Sequence, residues 1–169
     1  MNRQLRSVIV GMMAWATLGT LCVADQSNAT AAFERFASLV GQWKGQQDGT
    51  EIQVTYTLIA NGSALIEEFR PGNGPMMVTM FSVDGDRLVA THYCSAKNQP
   101  QMTTRPIADP AAKSVAFSLI RVTGLNSPDD WHNTGLVVTM PDQDHLTQEW
   151  TYLSSGKTGK TIFQFTRRR

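Results

Sequence analysis

The stretch TEIQVTYTLIANGSALIEEFR, residues 50–70, decides the fold class. Its first half, 50–59, alternates apolar and polar residues, as a strand with one buried face does. Asn61 and Gly62 follow, and this pair is the strongest short-range hairpin signal because both residues tolerate positive φ. The second half, 64–70, then returns as the antiparallel partner of the first strand. The stretch therefore predicts a β-hairpin.

Strand-like segments of similar length fill most of the chain on either side of this hairpin. Asp84 and Gly85 predict a second hairpin, and 141–144 and 154–156 supply turn chemistry further on. The other predicted strands are 76–83, 87–94, 101–107, 114–121, 134–140, 145–152 and 160–167. Such a series is typical of an antiparallel sandwich or barrel, and consecutive hairpins favour an up-and-down barrel. The sequence therefore predicts an all-β, antiparallel up-and-down β-barrel of about 8–10 strands.

One helix and one long loop interrupt the series of strands. The segment AAFERFASLV, residues 31–40, places Phe33 and Phe36 on one face at helical spacing, and Gly41 stands where a C-cap glycine would. Further on, 122–133 is the longest irregular stretch. A loop of that length is often a lid or a binding loop, and it is equally consistent with a plain surface excursion.

The N-terminus has the three-part layout of a secretory signal peptide. Arg3 and Arg6 come before an apolar stretch, and Cys22 and Ala24 put small residues at the −3 and −1 positions of a cut. We expect 1–24 to be a cleaved signal peptide and the protein to be exported, either periplasmic or secreted. The apolar stretch is shorter than the roughly 20 residues of a membrane span, so no span is expected after cleavage.

The rest of the chain has the length of one domain. We expect a flexible N-terminus over 25–30 and a barrel domain over 31–169. A cut after Ala29 is the alternative to a cut after Ala24.

Charge and cysteine content narrow the classes of partner. The 15 Lys and Arg residues include Arg3 and Arg6, so 13 basic residues face 14 acidic ones after cleavage. No basic stripe exists apart from 167–169, which argues against a nucleic-acid partner. Cys94 is the one cysteine left after cleavage, so no intramolecular disulfide is possible, and we expect its thiol to be buried. The oligomeric state is left open.

The segment FASLVGQWKG, residues 36–45, puts a short helix before a Gly-x-Trp motif, Gly41 and Trp43. This opening resembles that of lipocalins and the wider calycin group. The resemblance implies that Trp43 closes one end of the barrel beneath the helix. It also implies that an arginine near the end of the last strand packs across that tryptophan, and Arg167 is positioned to form such a cation–π pair.

Three further segments are similar to a group of small exported bacterial proteins of unknown function with a lipocalin-like barrel. They are YTLIANGSALIEEF (56–69), DGDRLVATHYCSAKNQPQM (84–102) and LTQEWTY (146–152). The resemblance covers nearly all of 33–167 and implies the fold and export, with no established activity. The lipocalin precedent implies a small apolar ligand inside the barrel, although this chain lacks the disulfides of secreted lipocalins.

A cluster of polar side chains marks the end of the predicted strand 87–94. Strand alternation puts His92 and Cys94 on one face, and Asn98 and Gln99 follow directly in the sequence. One interpretation is that these residues line the mouth of a pocket. The other is that Asn98 and Gln99 organise a tight loop and that backbone groups satisfy His92.

Glu67 and Glu68 are adjacent in a strand, so one of them points to each face. An inward carboxylate needs a partner, and the candidates are His92, Arg105, Arg121 or a ligand cation. A buried Glu–His pair would mark a site, whereas a structural ion pair would not. The methionines suggest an adaptable apolar interior or a filled core; they are Met76, Met77, Met80, Met102 and Met140.

Three functional hypotheses follow. The first is a binder of a small, largely apolar molecule, with ligand-binding candidates Glu67, Glu68, His92, Cys94, Asn98, Gln99, Met102 and His132. The second is a small-molecule enzyme in which His92 acts as general acid or base beside a pocket glutamate. The third is a cell-envelope interaction module with a filled barrel. No catalytic residue is assigned, and no metal site or cofactor is predicted because no ligand spacing is recognisable.

Overall fold

The computed structural model describes residues 27–169, which form one α-helix, ten strands and a single 3-10 turn (Ala60–Gly62). The predicted signal peptide, 1–24, lies outside the described residues. The elements are α1 (Asn28–Ala37), β1 (Gly41–Gln47), β2 (Thr50–Ile59), β3 (Ala64–Pro71), β4 (Met77–Asp84), β5 (Arg87–Tyr93), β6 (Gln99–Thr103), β7 (Ser114–Thr123), β8 (His132–Thr139), β9 (His145–Ser154) and β10 (Lys157–Arg167).

The strands form a closed antiparallel barrel of up-and-down topology. Each strand pairs with its neighbours along the chain, and β1 pairs with β10 to close the barrel. The predicted fold class is therefore confirmed. The hairpin at Asn61 and Gly62 is also confirmed, although its connection spans four residues because Ile59 and Ala64 form the last pair. Within the described part of the chain, no helix is long and apolar enough to cross a membrane.

The helix begins three residues before its predicted start. The Ser27 hydroxyl oxygen accepts a hydrogen bond from the Thr30 backbone N–H at 3.2 Å, which caps the first turn. Residues 28–30, expected to be flexible, therefore belong to α1. The helix ends at Ala37, and Gly41 is the first residue of β1 rather than a C-cap.

The sixth strand is two residues earlier and shorter than predicted. The chain leaves the sheet after Thr103, because the Thr104 hydroxyl accepts a hydrogen bond from the Leu88 backbone N–H at 3.1 Å. The following connection then contacts α1, where the Asn28 side-chain amide donates to the carbonyls of Ile107 and Ala108. Residues 104–107 were predicted as strand, but they form a loop that contacts α1, in which the backbone N–H groups of Thr104 and Ile107 still donate to the carbonyls of Leu88 and Asp86.

An aromatic core fills the barrel at the end covered by α1. Phe36 of the helix packs against Phe81 and Phe117, with ring centroids 5.3 and 6.0 Å apart. All three side chains are buried. The barrel interior is therefore filled by side chains at this end, as in other small barrels.

Trp43 and Arg167 close the same end. The Arg167 guanidinium lies 4.2 Å from the centroid of the Trp43 ring, and Trp43 Nε1 donates to the Leu39 carbonyl at 2.8 Å. Arg167 also donates to the carbonyls of Val40 and Ser38, both in the segment between α1 and β1. The expected cation–π contact is present, and it joins the last strand to the helix.

The seam between β1 and β10 is short. The two strands pair only from Trp43 opposite Arg167 to Gly45 opposite Phe165. A Cβ at Gly45 would lie 2.3 Å from the Gln164 carbonyl oxygen, so glycine is required for this close approach. Beyond this point the strands separate, which leaves the first half of β10 paired only with β9.

Candidate functional site

An internal cavity of about 240 Å³ occupies the barrel end opposite α1. Its wall is rich in aromatic rings and holds few charged groups. The lining residues are Gln47, Glu67, Phe69, Pro71, Met77, His92, Cys94, Ser95, Trp131, Asn133, Trp150, Tyr152, Thr161 and Phe163. A larger groove of about 540 Å³ lies outside the barrel along β1 and β10, but most of its lining is exposed. The internal cavity is therefore the candidate site.

A row of polar side chains crosses four neighbouring strands beside the cavity. Tyr56 on β2 is opposite Glu67 on β3, Glu67 is opposite Thr79 on β4, and Thr79 is opposite His92 on β5. All four side chains are buried. Side chains directly opposite on one face of a sheet are close enough to interact, so strand register alone assembles the row.

Hydrogen bonds join this row to Gln148 on β9 and determine which way the Gln148 amide points. Trp150 Nε1 can only donate, and it donates to Gln148 Oε1 at 3.0 Å. The Gln148 side-chain nitrogen therefore faces the row, where it donates to Tyr56 Oη at 2.8 Å and to Glu67 Oε2. Tyr56 in turn donates to Glu67 Oε2 at 2.5 Å.

Glu67 lies at the centre of the network, and no cationic side chain of residues 27–169 pairs with it. Its Oε1 atom accepts from the Thr79 hydroxyl at 3.2 Å. Burial raises the pKa of Glu67 to about 7, although its hydrogen bonds from Tyr56, Thr79 and Gln148 act in the opposite direction. Burial also raises the pKa of Tyr56 well above its ordinary value, so Tyr56 remains a donor. The arginine partners considered from the sequence are wrong, because hydroxyl and amide donors satisfy this carboxyl group.

His92 faces the cavity as a neutral imidazole. Burial lowers its pKa to about 4, and its ring packs on Trp150 with centroids 4.8 Å apart. Nδ1 lies 3.0 Å from the Thr79 hydroxyl oxygen. Nε2 has no hydrogen-bond partner among the described residues, yet it is not sealed in the protein, so it is the ring nitrogen open to the cavity. A ligand in the cavity can therefore bond to His92 Nε2.

The structure brings together three of the eight candidate binding residues, Glu67, His92 and Cys94. The inward glutamate is Glu67. Glu68 points to the outside, with its carboxylate 3.6 Å from the Arg70 guanidinium. Cys94 is half-buried rather than buried as expected, because it follows β5 at the cavity mouth.

The other candidates lie outside the cavity lining. The Asn98 side-chain amide donates to the Trp131 carbonyl at 2.7 Å, and Gln99 accepts from the Thr123 hydroxyl. Met102 belongs to the buried core. His132 Nδ1 donates to the Asp130 carbonyl at 2.7 Å. Their contribution to ligand binding stays a prediction, and the hydrogen bond from Asn98 anchors the long loop that carries Trp131.

The structure also separates the methionines that were considered as the lining of an apolar interior. Of the five methionines considered, Met77 lines the cavity, Met102 and Met140 are buried in the core, Met80 is half-buried outside the cavity lining, and Met76 is exposed. Across residues 27–169, no group of three or more His, Cys, Asp or Glu side chains is arranged to hold a metal ion.

Sequence reasoning missed Tyr56, Thr79, Gln148 and Trp150 as parts of the site. The hairpin register could have indicated two of them. A turn centred on Asn61 and Gly62 places Tyr56 opposite Glu67, and the turn after Asp84 places Thr79 opposite His92. Gln148 and Trp150 lie on β9, and no local signal relates that strand to β2 or β3.

The cavity mouth contains a close contact that a small substitution would disturb. The Tyr152 ring covers Gly159 and lies 5.5 Å from the Trp131 ring, centroid to centroid. A Cβ at Gly159 would lie 2.3 Å from Tyr152 Cζ. We expect Gly159→Ala to displace Tyr152 and lower the free energy of unfolding by about 1–3 kcal/mol, as overpacking does.

Urea denaturation and hydrogen exchange measure this effect. Faster exchange of the backbone amides in the loop 124–131 is expected, because Tyr152 supports Trp131. Thr158→Ala, at an exposed neighbouring position on β10, is the control and should leave both measurements unchanged. Unchanged exchange in Gly159→Ala would contradict the support of the loop by Tyr152.

The fold and the site define a class: a closed up-and-down β-barrel with an internal cavity beside a buried polar network. A similar barrel occurs in the crystal structure of a protein with unknown function from the DUF3598 family of Nostoc punctiforme. The two chains have a TM-score of 0.53 and 13% sequence identity over 79% of this chain and 48% of the other. This chain thus spans about half the length of that structure, and the likeness shows the fold alone. No family model and no curated protein matches the sequence.

Proposed function

We propose that the protein binds a small, largely apolar molecule in the internal cavity. The observation that carries this proposal is the cavity itself, about 240 Å³ in volume and lined by aromatic side chains. Ligand sites are typically concave and apolar, with a few polar groups that set orientation. His92 Nε2, open to the cavity, supplies such a group.

The cavity volume limits the size of the ligand. An apolar cavity of roughly 150 Å³ holds benzene, whereas sites for drug-sized ligands begin at roughly 300 Å³. A volume of about 240 Å³ therefore suits a compact molecule of one or two rings. The rings of Phe69, Trp150 and Phe163 favour a flat, aromatic ligand that can stack against them.

We also propose that the barrel acts after export, with 1–24 removed as a signal peptide. The sequence of the N-terminus supports this step, since it has the charged, apolar and small-residue regions in order. Kinship with the calycin group is part of the same proposal. The stack of Arg167 on Trp43 beneath the helix supports it.

Two matched substitutions on β10 test ligand binding. Thr161 lines the cavity, whereas Ile162 is 54% exposed on the outer face of the same strand. Naphthalene is the probe, and native mass spectrometry and isothermal titration calorimetry measure its binding. We expect Thr161→Trp to fill the cavity and weaken binding at least tenfold, and Ile162→Trp to bind like the unmodified protein.

The proposal is wrong if the unmodified protein binds neither naphthalene nor any lipophilic dye. It is also wrong if Thr161→Trp and Ile162→Trp bind equally well, because binding would then occur outside the cavity. Circular dichroism of both variants checks that each remains folded.

A second candidate function is general acid–base catalysis by His92. The neutral ring with Nε2 open to the cavity favours this candidate, since a catalytic base needs an unprotonated nitrogen within reach of its substrate. Bound molecules recovered after incubation distinguish the two functions. A binder returns its ligand unchanged, whereas an enzyme returns a product that His92→Gln does not form.

A further inference from the structure

A chain of hydrogen bonds leads from Glu67 through Thr79 to His92. Thr79 Oγ1 lies 3.2 Å from Glu67 Oε1 and 3.0 Å from His92 Nδ1. A hydroxyl group has one hydrogen to donate, so Thr79 can donate to only one of these two neighbours at a time. The direction in which Thr79 donates therefore depends on which neighbour carries a proton.

The rest of the network decides which Glu67 oxygen can be protonated. Oε2 already accepts hydrogen bonds from Tyr56 and Gln148, and the donor of Gln148 is fixed by Trp150. A proton on Oε2 would point at the hydrogens of these two donors and displace one of their hydrogen bonds. A proton on Glu67 therefore resides on Oε1, next to Thr79.

The two ionisation states of Glu67 give opposite arrangements. When Glu67 is ionised, Thr79 donates to Oε1 and accepts from His92 Nδ1–H, so Nε2 is an unprotonated acceptor. When Glu67 is protonated, Oε1–H donates to Thr79 and Thr79 donates to Nδ1. The imidazole proton then lies on Nε2, where it is a donor. Any other arrangement of the protonated state leaves the buried Thr79 hydroxyl hydrogen without a partner, which is unfavourable.

We propose that Thr79 relays the ionisation of Glu67 to His92, so that the cavity selects ligands with a hydrogen-bond donor when Glu67 is ionised and ligands with an acceptor when it is protonated. This inference rests on the proposed binding function and names the ligand chemistry of that site. Thr79 acts here as a positioning residue. Its hydroxyl contacts Glu67 and His92 and sets the polarity that the cavity presents.

The surroundings leave Glu67 as the group that titrates near neutral pH. Its pKa is about 7, and the pKa of His92 is lowered to about 4, so His92 stays neutral through this range. The other titratable groups that face the network are Tyr56 on β2, Cys94 after β5 and Tyr152 on β9. Among the described residues, no Lys, Arg or Asp lines the cavity.

Nuclear magnetic resonance of the ligand-free protein tests the relay directly. The ¹⁵N chemical shifts of the His92 ring distinguish the Nδ1–H and Nε2–H tautomers, and His92→Gln assigns the signals. Between pH 8.5 and 5.5 we expect the proton to move from Nδ1 to Nε2. Glu67→Gln is expected to hold the Nε2–H tautomer at every pH, because its amide nitrogen donates to Thr79 as protonated Oε1 does.

Thr79→Val supplies the complementary variant, since it removes the hydroxyl that links the two groups. We expect its His92 tautomer to be independent of pH. If Thr79→Val does not fold, Glu67→Gln alone decides. A tautomer that stays constant in the unmodified protein, or that changes equally in Glu67→Gln, overturns the relay.

Two bicyclic probes of similar size test ligand selection. Indole offers only an N–H donor, whereas 1-indanone offers only a carbonyl acceptor. Because one hydrogen bond changes affinity by about tenfold, indole should bind about tenfold more weakly at pH 5.5 than at pH 8.5, and 1-indanone about tenfold more tightly. Equal binding at both pH values overturns ligand selection. A tautomer change without binding of indole, 1-indanone, naphthalene or any lipophilic dye overturns the proposed function but supports the relay.

Discussion

Replacing Trp43 by alanine is expected to lower the free energy of unfolding by about 3–5 kcal/mol, the usual cost of truncating a buried tryptophan. The Trp43 side chain is 1% exposed and lies beneath α1. Its loss removes the ring on which Arg167 stacks and the donor that bonds to the Leu39 carbonyl. The substitution thus loosens contacts between the helix, the first strand and the last strand.

Guanidinium denaturation followed by far-ultraviolet circular dichroism measures this loss. Trp131→Ala is the matched control, because Trp131 is 38% exposed on a loop. We expect the control to cost about 1 kcal/mol or less. Equal losses in the two variants would mean that Trp43 is not the residue that closes the barrel end.

The second large effect concerns the free energy of unfolding, to which Glu67 and His92 contribute opposite pH dependences that nearly cancel in the unmodified protein. Glu67 has an ordinary pKa of 4.5 and a folded-state pKa of about 7. Between these values the folded state holds a proton that the unfolded state has lost, so stability falls as pH rises. His92 has an ordinary pKa of 6.5 and a folded-state pKa of about 4. Between these values the unfolded state holds the extra proton, so stability rises with pH.

Substituting either residue alone exposes the contribution of that residue. As the pH rises from 4.5 to 7, the free energy of unfolding of Glu67→Gln should increase by about 3 kcal/mol relative to that of the unmodified protein. As the pH rises from 4 to 6.5, the free energy of unfolding of His92→Gln should instead decrease by about 3 kcal/mol relative to that of the unmodified protein. Subtracting the free energy of unfolding of the unmodified protein at each pH removes the contributions of all other titrating groups.

Urea denaturation of the three proteins at a series of pH values gives both differences. In the unmodified protein, the contributions of Glu67 and His92 to the free energy of unfolding should nearly cancel between pH 4.5 and 6.5. A flat difference for Glu67→Gln would show that Glu67 ionises at its ordinary pKa. It would then also remove the pH range over which the Thr79 relay operates.

The hairpins of the barrel could be predicted because their signals are local. Asn61 and Gly62 mark a turn between two alternating segments, and the structure has that hairpin. The contact between Trp43 and Arg167 was expected from resemblance alone. The spacing of Phe33 and Phe36 predicts a helix from residue 31, whereas α1 starts at Asn28 because Ser27, a preferred N-cap residue type, caps its first turn.

The candidate site could be predicted only in part. His92 and Cys94 were placed together because side chains two residues apart in a strand share a face. Alternation also requires that Glu67 and Glu68 face opposite sides, but it does not say which side is the interior. Asn98 and His132 were predicted at a pocket, and the structure shows that their side chains bond to carbonyls of the loop before β8, so their part in binding stays a prediction.

The sequence by itself determined the strand order, the barrel class and the shared face of His92 and Cys94, because these follow from periodicity and from turns between neighbours in the chain. Only the tertiary structure decided that Glu67 points inward and bonds to Gln148, 81 residues away in the chain. It also decided that the helix end is filled while the opposite end holds a cavity. The physical reason is closure: the curvature of the barrel and the register of β9 against β10 set which side chains meet across the interior, and no local segment contains that information.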